Sequence, residues 1–191
     1  MTKSDQELIA DYKNGDSTAL EGLFERYKKP VLNYALRVTG NHADAEDVTS
    51  DVMMTIIVKK ESYQPIAKFS TWLFTIVRNS CISRLRKRKN IFSMWMQNNQ
   101  SGEYELLDVP DTEALPDHLV KEKELTAQVK KAIEKLPDTQ REALVLREYQ
   151  NLSYEEISRI LGCSLENVKI LIFRARERLR QELSSFMMEG S

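Results

Sequence analysis

Two stretches of this sequence bring ionisable side chains close enough together to act jointly. In the first, Asp44, Glu46, Asp47 and Asp51 crowd one short segment. Clustered carboxylates of this kind can hold a hard divalent cation for phosphodiester hydrolysis. The spacing argues against that chemistry, because neighbouring helical positions point in different directions and no histidine or distant carboxylate obviously converges on them. What Asp44, Asp47 and Asp51 do share is one helical face, at i, i+3 and i+7. Acids early in a helix are favoured by the positive end of the dipole, so spacing alone fits a solvated face and a partner-binding face equally. The two histidines, His42 and His118, read as surface residues rather than bases or ligands.

The second stretch carries Arg174, Arg176, Arg178 and Arg180. There Lys169, Phe173, Arg176 and Arg180 recur at i, i+4, i+7 and i+11 on a stripe flanking the inner, apolar face that Val168, Ile172, Ala175 and Leu179 share. The major groove admits one helix, whose outward side chains reach base edges while cations neutralise phosphates on either side. Ile170 and Phe173 are set outward among the arginines, where an apolar contact with a thymine methyl would employ them.

A third group combines Phe69, Trp72 and Phe74 with Lys68, Arg78 and Asn79, followed by Arg84, Arg86, Lys87, Arg88 and Lys89. Stacking surfaces beside phosphate-seeking charge are what single-stranded nucleic acid requires. Taken singly, Trp72 and Phe74 read as core residues.

These groups need helices to position them, and the punctuation for helices is present. Ser4 and Glu7 have capping-box spacing, and Gly15 ends the first helix. From Ser17 to Thr39, Leu20, Leu23, Phe24, Tyr27, Val31 and Tyr34 recur at helical spacing, and Gly40-Asn41 supplies a stop and a new N-cap. Ala45, Val48, Val52 and Ile56 form the apolar stripe of the third helix. Gln64-Pro65 breaks the period, after which Ser70 is expected to cap a basic helix. Leu125, Val129, Ala132 and Leu136 mark a helix that Pro137 ends, and Asp138 is expected to cap the next. Ser153 and Glu156 form a second capping box, Gly162 sits where a left-handed residue is wanted, and Ser164 caps the last helix, Leu165 to about Leu183. Helix, tight turn and longer helix make a helix-turn-helix.

Composition agrees with an all-α chain of two small helical domains joined by a flexible linker. There are 191 residues, 41% hydrophobic and 30% charged, with only 6 Gly and 5 Pro, which suits long helices better than a sandwich or barrel. The net charge of −1 conceals local fields, because Glu103, Glu105, Asp108, Asp111, Glu113 and Asp117 offset the basic clusters in the sum without sharing their space. That acidic segment lies in a stretch without steady periodicity, Asn90 to Asp117, whose Met94-Trp95-Met96 cluster suits either docking on a partner or local packing. Cys81 and Cys163 lack CxxC spacing and read as packing thiols, not a zinc site or disulfide. No stretch approaches the ~20 apolar residues of a membrane span and no apolar leader opens the chain, so no membrane insertion and a cytoplasmic location are expected.

Four segments together resemble one family. Asp44-Ala45-Glu46-Asp47-Val48, Phe69-Ser70-Thr71-Trp72-Leu73-Phe74-Thr75-Ile76-Val77-Arg78-Asn79, Leu136-Pro137-Asp138-Thr139-Gln140-Arg141, and Tyr154-Glu155-Glu156-Ile157 through Phe173-Arg174-Ala175-Arg176 are similar, in order and spacing, to extracytoplasmic-function sigma factors of bacterial RNA polymerase. The resemblance covers nearly the whole chain outside the linker. It implies a non-enzymatic promoter-specificity subunit without cofactor or metal. Residues 1–90 would bind core RNA polymerase and recognise and melt the minus-ten element, 91–117 would be the linker, and 118–191 would read the minus-thirty-five element. Promoter DNA and an anti-sigma factor are the implied partners besides the polymerase.

By the same matching, Asp44, Asp47, Val48, Ser50 and Asp51 would dock on the polymerase clamp helices. Ser62, Tyr63, Lys68, Phe69, Trp72, Arg78 and Asn79 would meet the minus-ten strand, with the loop from Ser62 to Lys68 holding a flipped base. Ser164, Glu166, Asn167, Lys169, Phe173, Arg174 and Arg176 would contact minus-thirty-five DNA. The family commonly has Gln-Glu where Ser50-Asp51 stand and Thr where Asn167 stands. Apart from the resemblance, the helix-turn-helix also fits a self-sufficient transcription regulator that binds duplex DNA without polymerase, although the aromatic-basic helix is better suited to an opened strand and no ligand or phosphoacceptor domain is recognisable.

Overall fold

Every described element is a helix, and the breaks between them fall where the backbone chemistry demands. The computed structural model describes residues 3–98 and 117–189. The elements are α1 (Asp5–Lys13), α2 (Ser17–Thr39), α3 (His42–Val58), a short 3₁₀ turn (Lys60–Ser62), α4 (Phe69–Asn98), α5 (Asp117–Glu134), α6 (Asp138–Glu148), α7 (Tyr154–Leu161) and α8 (Leu165–Glu189). The acidic residues Glu103 to Glu113 lie outside the described residues, as do the side chains of Met94, Trp95, Met96 and His118.

Both capping boxes form: Ser4 Oγ accepts from Glu7 N while Glu7 reaches back to Ser4 N, and Ser153 and Glu156 do the same. Asn41 caps α3 by accepting from Asp44 N at 2.9 Å. Two stops need a left-handed residue, Gly40 at φ 69° and Gly162 at φ 67°, a region that glycine enters without a Cβ penalty.

Two expected caps do not form. The first turn of α4 closes on the Lys68 carbonyl, which accepts from Thr71 N and Trp72 N, so Ser70 lies inside the helix. Asp138 likewise takes the first helical position of α6, behind Pro137, and pairs with Arg141 at 2.8 Å instead of capping. Two helices also overrun their expected ends. α4 continues to Asn98, past Asn90 where apolar periodicity lapses, and α8 continues to Glu189.

In the N-terminal half, α2 supplies Leu23, Val31, Tyr34 and Ala35, α3 supplies Ala45, Val48, Val52 and Ile56, and α4 supplies Leu73, Phe74 and Val77 to one core. Each buried Leu, Val or Ile among them contributes about 1.5–3 kcal/mol by leaving water. In the C-terminal half, Ala143 to Leu146 of α6, Ile157 and Ile160 of α7, and Val168, Ile172 and Ala175 of α8 are buried together. The halves touch where α6 meets α2 and where α7 meets α4.

Candidate functional site

The C-terminal helix pair comes first because its geometry is simplest. The turn between α7 and α8 is closed by Cys163 N donating to Ser158 O at 3.1 Å, and Ser164 Oγ caps α8 by accepting from Asn167 N at 3.2 Å. With Val168, Ile172 and Ala175 turned inward, Ser164, Glu166, Asn167, Lys169, Phe173, Arg174 and Arg176 all lie exposed on one side of α8. Phe173 is 65% exposed and Ile170 is exposed beside it, an unusual outlay of apolar surface among cations. Arg176 is held by Glu148 of α6, with Nη2 at 2.5 Å and Nε at 3.2 Å from Oε1. Arg180 pairs with Glu177.

The acidic face of α3 is likewise tied down. Arg84 of α4 donates through Nε to Asp44 at 2.9 Å and also pairs with Asp47, while Arg88 Nη1 stands 3.5 Å from Asp44. Glu46 faces His42 at 3.5 Å. Among the described residues, no three His, Cys, Asp or Glu side chains converge as a cation site, and Asp44 and Asp47 are spoken for by guanidinium. Ser50 and Asp51 are exposed, and so is the apolar patch of Met54, Ile57 and Val58 one turn on. Val48 belongs with the interior: at 2% exposure it points into the core and supports the face from behind.

The loop between α3 and α4 is anchored by one residue. Tyr63 donates its hydroxyl to Ala67 O at 3.0 Å, and its own carbonyl accepts from Lys13 Nζ at 2.7 Å. Its ring meets Phe69 and Trp72 edge-on at 5.7 and 5.6 Å, and Phe69 meets Tyr27 at 5.4 Å. Burial, and to a lesser degree the Asp5 carboxylate, raise the Tyr63 phenol above its ordinary value. Tyr63 and Phe69 are therefore buried at 2% and 1%, with both rings packed against their neighbours. Trp72 is half-buried, whereas Ser62, Lys68 and Asn79 are exposed. Ser62 Oγ donates to Lys59 O at 2.7 Å, closing the turn that starts the loop.

Sequence reasoning passed over four residues that the fold makes conspicuous. Ile66 stands 84% exposed in this loop, an apolar side chain with nothing packed on it. Glu148 orients Arg176. Glu142 accepts from Arg78 Nε at 2.8 Å across the seam between the halves, and Glu156 Oε1 stands 3.1 Å from Lys68 Nζ. Glu142 was hidden in an ordinary amphipathic segment. Glu156 already had a capping role, which gave no sign of a second.

Comparison with known proteins bears on the same two regions. Residues 23–91 match the model for Sigma-70 region 2, and residues 126–179 match that for Sigma-70, region 4. The chain is 33% identical, over 92% of its length and 94% of the relative's, to the ECF RNA polymerase sigma factor SigW of Bacillus subtilis. It is 30% identical, over 92% of each chain, to the ECF RNA polymerase sigma-E factor of Escherichia coli. Among solved structures, the sigma factor RpoE of Bartonella quintana, crystallised with the anti-sigma factor NepR, superimposes with a TM-score of 0.67 at 27% identity, covering 86% of this chain and 96% of that one. Among the described residues no helix is long and apolar enough to cross a membrane. With two sigma-70 regions in order on one all-helical chain, and relatives at this identity along nearly their whole length, the protein belongs to the ECF sigma factors of RNA polymerase.

Proposed function

We propose that this sigma factor binds core RNA polymerase in the cytoplasm and directs initiation at a particular class of promoter, without catalysis of its own. In this reading residues 1–90 carry polymerase binding and the minus-ten element, 91–117 connect, and 118–191 carry the minus-thirty-five element. The observation that carries it is the exposed side of α8, where Lys169, Arg174 and Arg176 flank Phe173 above a fully apolar inner face. Cations can neutralise phosphates or read guanine while Phe173 meets a thymine methyl, and these roles need exposure, which all four have.

The N-terminal contacts follow from exposure as well. On α3 the surface offered to the polymerase is Asp47, Ser50 and Asp51, with Asp44 held by arginines at its edge. For the opened strand the exposed groups are Ser62, Lys68 and Asn79, joined by half-buried Trp72 and by Arg78, which Glu142 holds at 2.8 Å, with Tyr63 and Phe69 as the packed wall that fixes the loop. Holding an unstacked base costs a few kcal/mol, which the loop must return in contacts. An anti-sigma factor is a further partner on this reading, as the Bartonella quintana protein was crystallised with one.

Run-off transcription with purified core polymerase tests this. Initiation on a genomic promoter template above the level of core alone is expected. Failure of the chain to associate with core would overturn the reading, and tight sequence-specific duplex binding by the free protein would replace it with a self-sufficient regulator.

A further inference from the structure

The first helix and the loop between α3 and α4 are tied to each other reciprocally. Lys13, in the last turn of α1, donates from Nζ to the Tyr63 carbonyl at 2.7 Å and stands 5.8 Å from the centre of the Tyr63 ring. Lys60, in the 3₁₀ turn, donates from Nζ to the Tyr12 carbonyl at 3.5 Å and stands 4.6 Å from the centre of the Tyr12 ring. A cation at the C-terminal end of α1 is favoured there by the helix dipole as well. Each side thus lends a lysine to the other's tyrosine, with one bond to a carbonyl and one ring face beneath the ammonium.

α1 gives such a tie a firm base. Leu8 and Ile9 are buried, with Leu8 lying over Gly22 of α2, and Asp5 accepts from the Tyr27 hydroxyl and pairs with Arg26. Tyr27 in turn meets Phe69, where α4 begins. Because Tyr63 also donates its hydroxyl to Ala67 O, this one residue brackets the loop: α1 holds its carbonyl, and its hydroxyl holds the far side. Between those two points Gln64, Pro65 and Ile66 form an exposed tip. An exposed tip with few packed neighbours takes up many shapes unless ties at its base select one, and a binding loop held in one shape discriminates better than one that must be ordered by its ligand.

We propose that Lys13 is a positioning residue for promoter recognition: by holding the Tyr63 carbonyl it fixes the shape of the Gln64-Pro65-Ile66 tip, so that discrimination among bases at the minus-ten element depends on α1 as well as on the loop. This deepens the functional reading above and rests on it, because it presupposes that the loop holds an unstacked base. Lys68 and Asn79 lie past the closing point of the bracket at Ala67, so their contacts with the strand do not pass through Lys13. Loss of the tie therefore subtracts from contacts with the correct base, which need the tip in one shape, and leaves the base-independent contacts in place. Selectivity falls more than overall binding.

The test uses holoenzyme reconstituted from core polymerase and the full chain, on a genomic promoter template that the wild type uses and on derivatives carrying each base at each minus-ten position. The quantity read is the ratio of initiation on the original template to initiation on each derivative. A folding defect lowers initiation on all templates alike and cannot move that ratio. Lys13→Met, which removes the charge and the donor and keeps the length of the side chain, is expected to lower the ratio about tenfold at one position, within the reach of a single charge-assisted hydrogen bond. Lys13→Arg restores a donor and is expected to recover most of the loss. Lys3→Met, which breaks a pair with Asp11 away from the loop, is expected to leave every ratio as in wild type. Ratios in folded Lys13→Met that match wild type, or that fall alike at every position, overturn the proposal, and so does an equal loss in Lys13→Arg. Should Lys13→Met fail to fold, Lys60→Met breaks the tie from the loop side: a lowered ratio at one position supports the proposal, and wild-type ratios overturn it. If the wild type itself initiates on no template, the functional reading falls and takes the proposal with it; if the wild type initiates and discriminates while the lysine variants track it, only the positioning role falls.

Discussion

Glu148, in the last turn of α6, receives two hydrogen bonds from Arg176 in the middle of α8, through Nη2 at 2.5 Å and Nε at 3.2 Å. The carboxylate fixes the guanidinium plane across the exposed side of α8 proposed to meet DNA, and places a negative charge there. Both side chains are about half exposed, so the pair adds at most about 1 kcal/mol to stability. Glu148→Gln is therefore expected to leave the melting temperature nearly unchanged and to tighten binding of minus-thirty-five duplex by the isolated polymerase complex, while Arg176→Ala weakens it by about 1–3 kcal/mol. Filter binding across a salt series checks both. If Arg176 reads a base, the loss is confined to one position of the element; if it meets phosphate, the loss is uniform and the salt slope falls by about one.

Glu142 gives the fold a definite acid response. Burial raises its carboxyl above the ordinary value, and the opposing pull of Arg78 does not cancel that rise. A carboxyl whose folded value lies above its unfolded one contributes stability that is fully present below the unfolded value, about 4.3, and lost as pH climbs through the folded value. The groups facing it are Arg78 and Cys81 from α4, Tyr34 from α2, and Asp138 and Arg141 on its own helix. Burial pushes Cys81 up to about 12 and raises Tyr34 well above its ordinary value, so neither thiol nor phenol ionises in the window. Glu156 is shifted the other way: burial pushes it up, but hydrogen bonds from Ser153 and the Lys68 cation win, so its contribution is lost only below the ordinary carboxylate range. Moving from pH 7 toward pH 5 should thus raise the urea midpoint of the wild type relative to Glu142→Gln. Parallel midpoints for the two proteins across that range would contradict this account.

The two cysteines should separate cleanly under a thiol reagent. Cys81 is fully buried in α4 and its thiol is held protonated by its surroundings, whereas Cys163 is partly exposed in the turn before α8. Reaction needs an accessible thiolate. One equivalent of Ellman's reagent is expected to react promptly at pH 8, and the second only as fast as the N-terminal core opens, at least about a hundredfold slower. Cys163→Ser should remove the fast phase and leave the slow one.

The sequence displayed its helices because their ends are written in single residues: Ser4, Asn41, Ser153, Gly40 and Gly162 each do locally what their type permits. The exposed, cation-rich side of α8 was equally visible, since helical spacing turns Val168, Ile172 and Ala175 inward and leaves the cations outside. What could not be read was anything decided between elements. Tyr63, Phe69 and Val48 lie in motifs that suggest contact, and their burial in the packed interior is set by how the helices meet. Glu142 meets Arg78 across 64 positions, and no periodicity encodes that meeting. Ser70 and Asp138 failed as caps because the chain turned into the helix one or two residues sooner than their type suggested.

The last prediction concerns Arg84, which holds Asp44 at 2.9 Å and Asp47 beside it on the proposed polymerase face. Asp44 is the more enclosed acid, at 17% exposure against 54% for Asp47, so losing Arg84 strands Asp44 chiefly. Arg88 stands 3.5 Å away and softens that loss. With solvent screening included, Arg84→Ala should cost about 1–2 kcal/mol, enough to lower the melting temperature by several degrees in a helical body of this size. Its effect on partner binding should have a different signature. If Asp47 and Asp51 engage the polymerase, Asp47→Ala and Asp51→Ala weaken core association without lowering the melting temperature, because neither supports the core. Arg84→Ala lowers the melting temperature and weakens association less, because the contacting carboxylates remain. Arg84→Lys keeps the charge but not the planar fork that spans two acids, and should fall between wild type and alanine in stability. Calorimetry and a core-binding assay on the same four variants decide the matter: if Arg84→Ala abolishes association as completely as Asp47→Ala, the guanidinium itself meets the polymerase, and the acidic face must be redrawn around it.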